Sequence, residues 1–258
     1  MNLFSRTYEP TGSDKNQTIV ILHGLFGSSD NWLTQARLLS QEGYRVYTVD
    51  LANHGLSPHT DSFDYQSMVA HVVEFLDVHQ LNNVVLIGHS MGGKVSMNLA
   101  LTYGDRIQKL IVVDMAPRAY NLEHYVIVDG LNAVKIKEIT SRQEADAQLA
   151  AYVPEADVRQ FLLKNLQRTA ENGFEWKINL PLITKELSNI GLDLYADGVF
   201  DKPALFIRGE RSNYVRDEDI NHIHELFPLA VIETLPTGHW VQAEKPQEFV
   251  HVVSAWIG

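Results

Sequence analysis

The sequence predicts an open, mostly parallel α/β sheet with helices on both faces and a block of helices inserted past its middle. Short apolar, β-branched runs recur along the chain, at Thr18 to Leu22, Tyr44 to Val49, Asn83 to Ile87, Lys109 to Val113, Pro203 to Ile207 and Ala230 to Leu235. Continuous apolar runs of this length suit strands buried on both faces, as in a parallel sheet. Between the runs lie helical stripes. Tyr65, Met68, Val69, Val72 and Leu76 recur at helical spacing, and Phe249, Val252, Val253 and Trp256 repeat the pattern near the carboxyl end. Alternation of the two gives a doubly wound architecture.

The alternation breaks between Arg118 and Phe200, where helical patterns occur without a convincing buried strand. Ser141 with Glu144 forms a capping-box pattern, and Val158, Phe161, Leu162 and Leu166 supply an apolar helical face. The expected division is a core of residues 1–117 and 201–258 and a helical cap of residues 118–200.

Composition narrows the function classes. With 45% hydrophobic and 21% charged residues in 258, the chain can bury a large core. Lys and Arg number 21 against 32 Asp and Glu, so the formal charge of -11 repels polyanions and a nucleic-acid partner is not expected. The absence of cysteine removes disulfides, thiolate metal sites and a cysteine nucleophile together. No stretch approaches the roughly 20 apolar residues that span a bilayer, and Met1 to Pro10 lacks the pattern of a secretory leader. The expectation is a cytoplasmic protein with no membrane partner; the sequence carries no sign of its oligomeric state.

The strongest chemical signal is Gly88-His89-Ser90-Met91-Gly92, placed after an apolar strand and before the helical run Val95 to Tyr103. This is the G-x-S-x-G nucleophile elbow in its strand-turn-helix context. A serine carried through such a turn stands at the carboxyl edge of the sheet, and the helix behind it aims N–H groups at developing negative charge. The same stretch overlaps a phosphate-binding pattern through Gly88 and Gly93-Lys94, but Val95 occupies the position where that motif needs Ser or Thr for magnesium. Nucleotide binding is therefore set aside, and Lys94 is read as a helix-surface cation. After the first predicted parallel strand comes His23-Gly24-Leu25-Phe26-Gly27. A loop in that place supplies one oxyanion donor, so the N–H groups of Leu25 and Met91 are the expected pair, with Phe26 as the alternative to Leu25.

Position selects the base among eleven histidines. His239 follows the last strand and precedes the final helix, which puts it at the same sheet edge as Ser90. His222 and His224 sit two apart on a predicted helix and face different ways, while His71, His79 and His251 fall within helical patterns. His54 is read as the structural anchor of a glycine-rich turn. For the acid, the loop Gly209-Glu210-Arg211-Ser212 carries a serine where an aspartate is usual. Asp114, at the tip of the strand next to the nucleophile strand, is favoured on that placement; Glu210, then Asp217 or Asp219, remain alternatives.

The segments His23 to Ser28, Asp50 to Pro58, Gly88 to Lys94, Val113 to Pro117, Arg208 to Val215 and Gly238 to Pro246 together resemble the YbfF-type bacterial carboxylesterases, within the α/β-hydrolase fold. The resemblance runs over nearly the whole chain and is weakest from Arg118 to Lys177. It implies an acid at the end of the strand before the cap, matching Asp114, and a supporting serine in the later loop, matching Ser212. Leu51 and Ala52 depart from the more usual polar residues before the Asn-His pair. The resemblance also implies activity on short-chain or acyl-CoA-type esters. The expected reaction is hydrolysis of small or linear acyl esters or thioesters through an acyl-enzyme on Ser90, with no metal and no organic cofactor. Phe26, Tyr214 and Trp240 are expected to line an acyl pocket, and the cap to exclude water and select acyl length. Two rival readings stand beside it. A carbon-carbon bond hydrolase or lyase would need a basic cap residue, for which Arg142, Arg159 and Arg168 are candidates; a ligand receptor on the same fold would need no turnover.

Overall fold

A computed structural model describes residues 1–121 and 125–258. Its strands, in chain order, are β1 (Ser5–Tyr8), β2 (Thr18–Leu22), β3 (Arg45–Val49), β4 (Val84–His89), β5 (Ile107–Val113), β6 (Leu166–Arg168), β7 (Phe174–Trp176), β8 (Ala204–Gly209) and β9 (Ala230–Leu235). Its helices are α1 (Leu33–Gln41), α2 (Tyr65–Val78), α3 (Met91–Thr102), α4 (Tyr125–Ala133), α5 (Arg142–Leu149), α6 (Ala156–Leu162), α7 (Leu180–Glu186), α8 (Ile220–Leu226), α9 (Val241–Glu244) and α10 (Pro246–Ile257).

Seven strands form one sheet in the order β1-β3-β2-β4-β5-β8-β9. β1 pairs antiparallel with β3, and the other five pairings are parallel. The six apolar runs are all strands of this sheet, and alternation within each explains the two layers. Ile19, Ile21, Val85, Ile87, Ile111 and Val113 point into the core beneath α1 and α10. Val20, Leu22, Val84, Leu86, Leu110 and Val112 point into the larger core shared with α2, α3 and the helices between β5 and β8. Both faces are dry along the middle of these strands, so the residues that alternate there are apolar. At the α1/α10 face Trp32 meets Phe249 edge-on, ring centroids 5.8 Å apart, and both are fully buried.

Between β5 and β8 the chain leaves the main sheet and forms α4 to α7 with a two-stranded antiparallel hairpin, β6-β7. The Ser141 side chain caps α5 by accepting from the Glu144 N–H at 3.2 Å. The helical face expected through Leu166 ends earlier, because α6 stops at Leu162 and Leu166 starts β6. The cause is local. Asn172, at φ 64, and Gly173 turn the chain back so that Leu166 pairs with Trp176. No helix among the described residues is long and apolar enough to cross a membrane.

The fold brings the carboxyl ends of β2, β4, β5, β8 and β9 to one edge, and the segments that follow them carry every residue of the candidate site outside the insert. Phe249→Ala would remove the ring that fastens α10 to this framework. The expected cost is about 3–5 kcal/mol, read as a lower urea midpoint at an unchanged slope.

Candidate active site

Ser90 lies between β4 and α3 at φ 53, ψ -118, a backbone conformation that a non-glycine residue holds only where its surroundings require it. Here the surroundings are glycine contacts. A Cβ on Gly88 would collide with the Gly92 carbonyl and Ser96 Oγ, and one on Gly92 would lie 2.5 Å from the Leu22 carbonyl oxygen. The helix thus starts against the strand ends, and one residue must make the whole turn. Ser90 N–H donates to the Val113 carbonyl at 3.1 Å, which ties the turn to the end of β5.

One residue past that strand end, Asp114 is fully buried, again with a positive φ of 49. Its Oδ2 lies 2.7 Å from His239 Nδ1 and accepts a short hydrogen bond from Ser212 Oγ; its Oδ1 accepts from Gly209 N–H at 3.0 Å. The carboxylate fixes the ring tautomer, since Nδ1 must carry the proton that Asp114 accepts, and leaves Nε2 able to take another. Tyr214 stacks on the His239 ring at 3.9 Å and 21°, while His89 donates from Nε2 to the His239 carbonyl at 2.9 Å. No hydrogen bond joins Ser90 to His239, but both line the cleft described below. The other acids are occupied elsewhere: Glu210 is exposed, Asp217 pairs with Arg208 at 2.7 Å and Asp219 with Arg118 at 2.8 Å.

The His23 to Ser28 loop lies against Ser90, with a Cβ on Gly24 only 3.2 Å from Ser90 Cβ. Phe26, at φ 60, gives its N–H to His54 Nε2 at 3.3 Å, and Gly27 gives its own to the Gly24 carbonyl at 2.9 Å. The Leu25 N–H has no partner among the described residues, and Met91, as the first residue of α3, has no intrahelical acceptor. Those two N–H groups flank Ser90; that of Phe26 is committed.

Two apolar spaces open on Ser90. A cleft of ≈ 590 Å³ runs beneath the insert and is lined by His239, Phe26, Trp240, Phe161 and Val158, among others. Phe161 of α6 packs on Trp240, ring centroids 5.4 Å apart. A smaller pocket of ≈ 340 Å³ lies among Met91, Met115, Tyr120, Ile190 and Tyr214. The candidate cap cations face neither. Arg142 donates to the Leu163 and Leu166 carbonyls, Arg159 pairs with Asp146 at 2.8 Å, and Arg168 lies over Phe174.

Lys94 corrects the sequence reading, for it is fully buried rather than on a helix surface. Its Nζ donates to the Leu192 carbonyl and lies 5.1 and 5.6 Å from the rings of Tyr120 and Tyr65. Burial pushes its ammonium down to about 8, against the pull of Asp193. A signal was available: α3 has no other charged residue, and a helix without a polar face is a buried helix.

Sequence reasoning also missed most of the anchors of the His23 to Ser28 loop. Buried Asn165, from the insert, donates to the Phe26 carbonyl at 2.8 Å. Asp50 accepts from Ser29 N–H at 2.6 Å and Leu56 N–H at 2.8 Å. His23 donates from Nδ1 to the Gly24 carbonyl at 2.8 Å and accepts from Leu51 N–H at Nε2 at 2.9 Å. His54, by contrast, is the turn anchor read from the sequence: its Nδ1 bonds the Ala52 carbonyl at 3.1 Å. Burial lowers His23 to about 4 and His54 and His89 to about 3, so all three rings are neutral at pH 7.

Known proteins share this arrangement of sheet and edge. The alpha/beta hydrolase fold family model matches residues 17–131. Esterase YbfF of Escherichia coli (strain K12) is 36% identical over 259 residues, covering 100% of this chain and 99% of that protein. The sn-1-specific diacylglycerol lipase ABHD11 of Xenopus laevis is 39% identical over 258 residues, covering 95% of this chain and 81% of its own. Among solved structures, a marine microorganism esterase superposes with a TM-score of 0.93 at 37% identity, covering 98% of both chains.

The neutral histidines set an acid limit on stability. Each is lowered in the folded chain, so between its folded value and the unfolded value near 6.5 only the unfolded chain takes up the proton. Stability is fully present above pH 6.5 and falls as pH drops toward 4, by about 1.4 kcal/mol per pH unit for each ring. Urea melts at pH 7, 6 and 5 are expected to show this loss, with a shallower pH slope, by about one proton, in His54→Gln.

Proposed function

The chain belongs to the alpha/beta hydrolase fold family and is a serine ester hydrolase, and from that premise we propose that Ser90, His239 and Asp114 form its catalytic triad. The observation that carries this reading is the 2.7 Å contact between Asp114 Oδ2 and His239 Nδ1 at the sheet edge where Ser90 makes its strained turn. His239 Nε2 removes the Ser90 hydroxyl proton as Oγ attacks an ester carbonyl. The oxyanion is held by the N–H groups of Leu25 and Met91, each worth about 3 kcal/mol of barrier. Asp114 stabilises the imidazolium, and Ser212 orients that carboxylate. The proton then passes to the departing alcohol, and His239 activates water against the acyl-enzyme. The Ser90 to His239 bond closes when substrate is bound, as catalytic contacts that are loose in the free enzyme commonly do.

The cycle needs no metal or organic cofactor. Residues 118–200 act as a cap on a core of residues 1–117 and 201–258, and Phe26, Trp240 and Tyr214 touch the substrate. The two apolar spaces beside Ser90 suit small or linear acyl esters and thioesters. An acidic, cysteine-free chain is consistent with work in the cytoplasm. Cleavage of carbon-carbon bonds is less well supported, because Arg142, Arg159 and Arg168 are each committed inside the insert and none lines either space.

Ser90→Ala is expected to abolish turnover of 4-nitrophenyl acetate while keeping the fold, and a fluorophosphonate probe to label the wild type at Ser90 alone. Asp114→Asn is expected to lower kcat by about 10⁴, as loss of the orienting acid does in comparable triads. Ser212→Ala removes one neutral donor and is expected to cost on the order of tenfold. A crippled Glu210→Gln beside a tolerated Asp114→Asn would move the acid to the later loop.

A further inference from the structure

We propose that the smaller pocket among Met91, Met115, Tyr120 and Ile190 is the acyl subsite, and that the cleft beneath the insert receives the alcohol. This rests on the triad and oxyanion assignment above and adds which side of Ser90 each half of the ester occupies. Ser90 and Leu25 line both spaces, whereas His239 and Trp240 line only the cleft of these two.

Proton delivery decides between the two orientations. Attack of Ser90 Oγ on the ester carbonyl carbon forms one C–O bond and passes the hydroxyl proton to His239 Nε2. Collapse breaks the bond to the alkoxy oxygen, which must collect that same proton from Nε2 to leave as the alcohol. The alkoxy oxygen therefore lies on the His239 side, in the cleft. With the oxyanion fixed between Leu25 and Met91, the acyl carbon chain points away from His239, into the smaller pocket, whose wall begins at Met91. Water later enters from the vacated cleft and carries the carboxylic acid off, while the acyl chain stays in place.

The walls say what each side accepts. Met91, Met115 and Ile190 are buried, and the aromatic wall is pinned: Tyr120 OH donates to the Tyr214 carbonyl at 2.5 Å and accepts from Ala116 N–H at 2.8 Å. The Ile190 backbone is held by Tyr65 OH on its carbonyl at 2.8 Å. A closely packed interior of this kind does not yield to an extra methylene. The cleft is larger, and Ile127, Val158, Phe161 and Trp240 on its walls are only partly buried. The enzyme then measures the acyl chain strictly and the alcohol loosely; within the insert, Ile127, Val158 and Phe161 shape the alcohol side, whereas Tyr120 and Ile190 bound the acyl side.

The test crosses two substrate series with four variants. One series holds 4-nitrophenol constant and lengthens the acyl group from acetate to decanoate; the other holds butyrate constant and lengthens the alcohol from ethanol to decanol, followed by pH-stat. In the wild type, kcat/KM is expected to fall by about 10- to 200-fold at the first acyl methylene that no longer fits, with no such step in the alcohol series. Met115→Ala and Ile190→Ala should each move the acyl step to longer chains; Ile190→Val, which removes a single methyl from the same wall, should move it less and serves where an alanine variant does not fold. Phe161→Ala should alter the alcohol series and leave the acyl step in place. The assignment is overturned if Phe161→Ala moves the acyl step, or if the Met115 and Ile190 variants move only the alcohol series. Absence of ester turnover in a wild type that the fluorophosphonate fails to label would instead defeat the triad reading.

Discussion

The close approach of α3 to the ends of β2 and β4 is the constraint from which the catalytic edge follows. Gly92 sits so near the Leu22 and His23 carbonyls that no side chain fits between helix and strands. The chain therefore cannot leave β4 gradually, and the φ of 53 at Ser90 is the geometric consequence. Such a conformation costs of order 1–3 kcal/mol and persists only where packing over-determines it. Here it is over-determined, because every residue from Met91 to Ala100 is buried between the sheet and its covering layer. The turn that strains Ser90 also leaves the Met91 N–H unpaired beside it, so the proposed nucleophile and one proposed oxyanion donor arise from a single packing requirement.

The polar contacts around His239 are arranged on the buried carboxyl group of Asp114. Asp114 has three hydrogen-bond donors, from His239, Ser212 and Gly209, which together replace the water it loses on burial. An aspartate at position 212, where the fold usually places its acid, would set a second carboxylate against the first and raise the pKa of one of them. A serine donates a proton to Asp114 instead. The imidazoles nearby stay neutral through burial, so none competes with His239 for the carboxylate. The buried cation, Lys94, is turned away from this unit toward the Leu192 carbonyl and two tyrosine rings.

Elements governed by local pattern were legible in the sequence. The six apolar runs became six strands of the main sheet, the central ones because both their faces are dry, and the glycine spacing around Ser90 announced the turn that the packing enforces. β1 was not legible, since an antiparallel edge strand four residues long has no apolar run to mark it. The β6-β7 hairpin was overlooked although Asn172-Gly173 marks its turn, because its strands are only three residues each. Long-range polar contacts form the remaining class. Nothing in the chain ties Asn165 to the Phe26 carbonyl, 139 residues away, or Lys94 to Leu192.

Those long-range contacts bear on how the site is built. The insert begins a few residues after Asp114 and is fastened to the core at its far points: Asn165 holds the Phe26 carbonyl, Asn179 N–H donates to the Asn53 carbonyl at 3.0 Å, and Lys94 holds Leu192. Asn98 of α3 continues the line by accepting from the Tyr195 and Ala196 N–H groups at 3.0 and 3.1 Å. Two of these core partners, Lys94 and Asn98, lie on the helix that starts at Met91, and a third, Phe26, lies in the loop that supplies the other candidate donor. A displacement of the insert would thus be felt at both proposed oxyanion donors. On the proposed assignment, the walls of the substrate site and the oxyanion donors are parts of one packed unit, which would let binding energy gathered along an acyl or alkyl chain hold the carbonyl in register for attack.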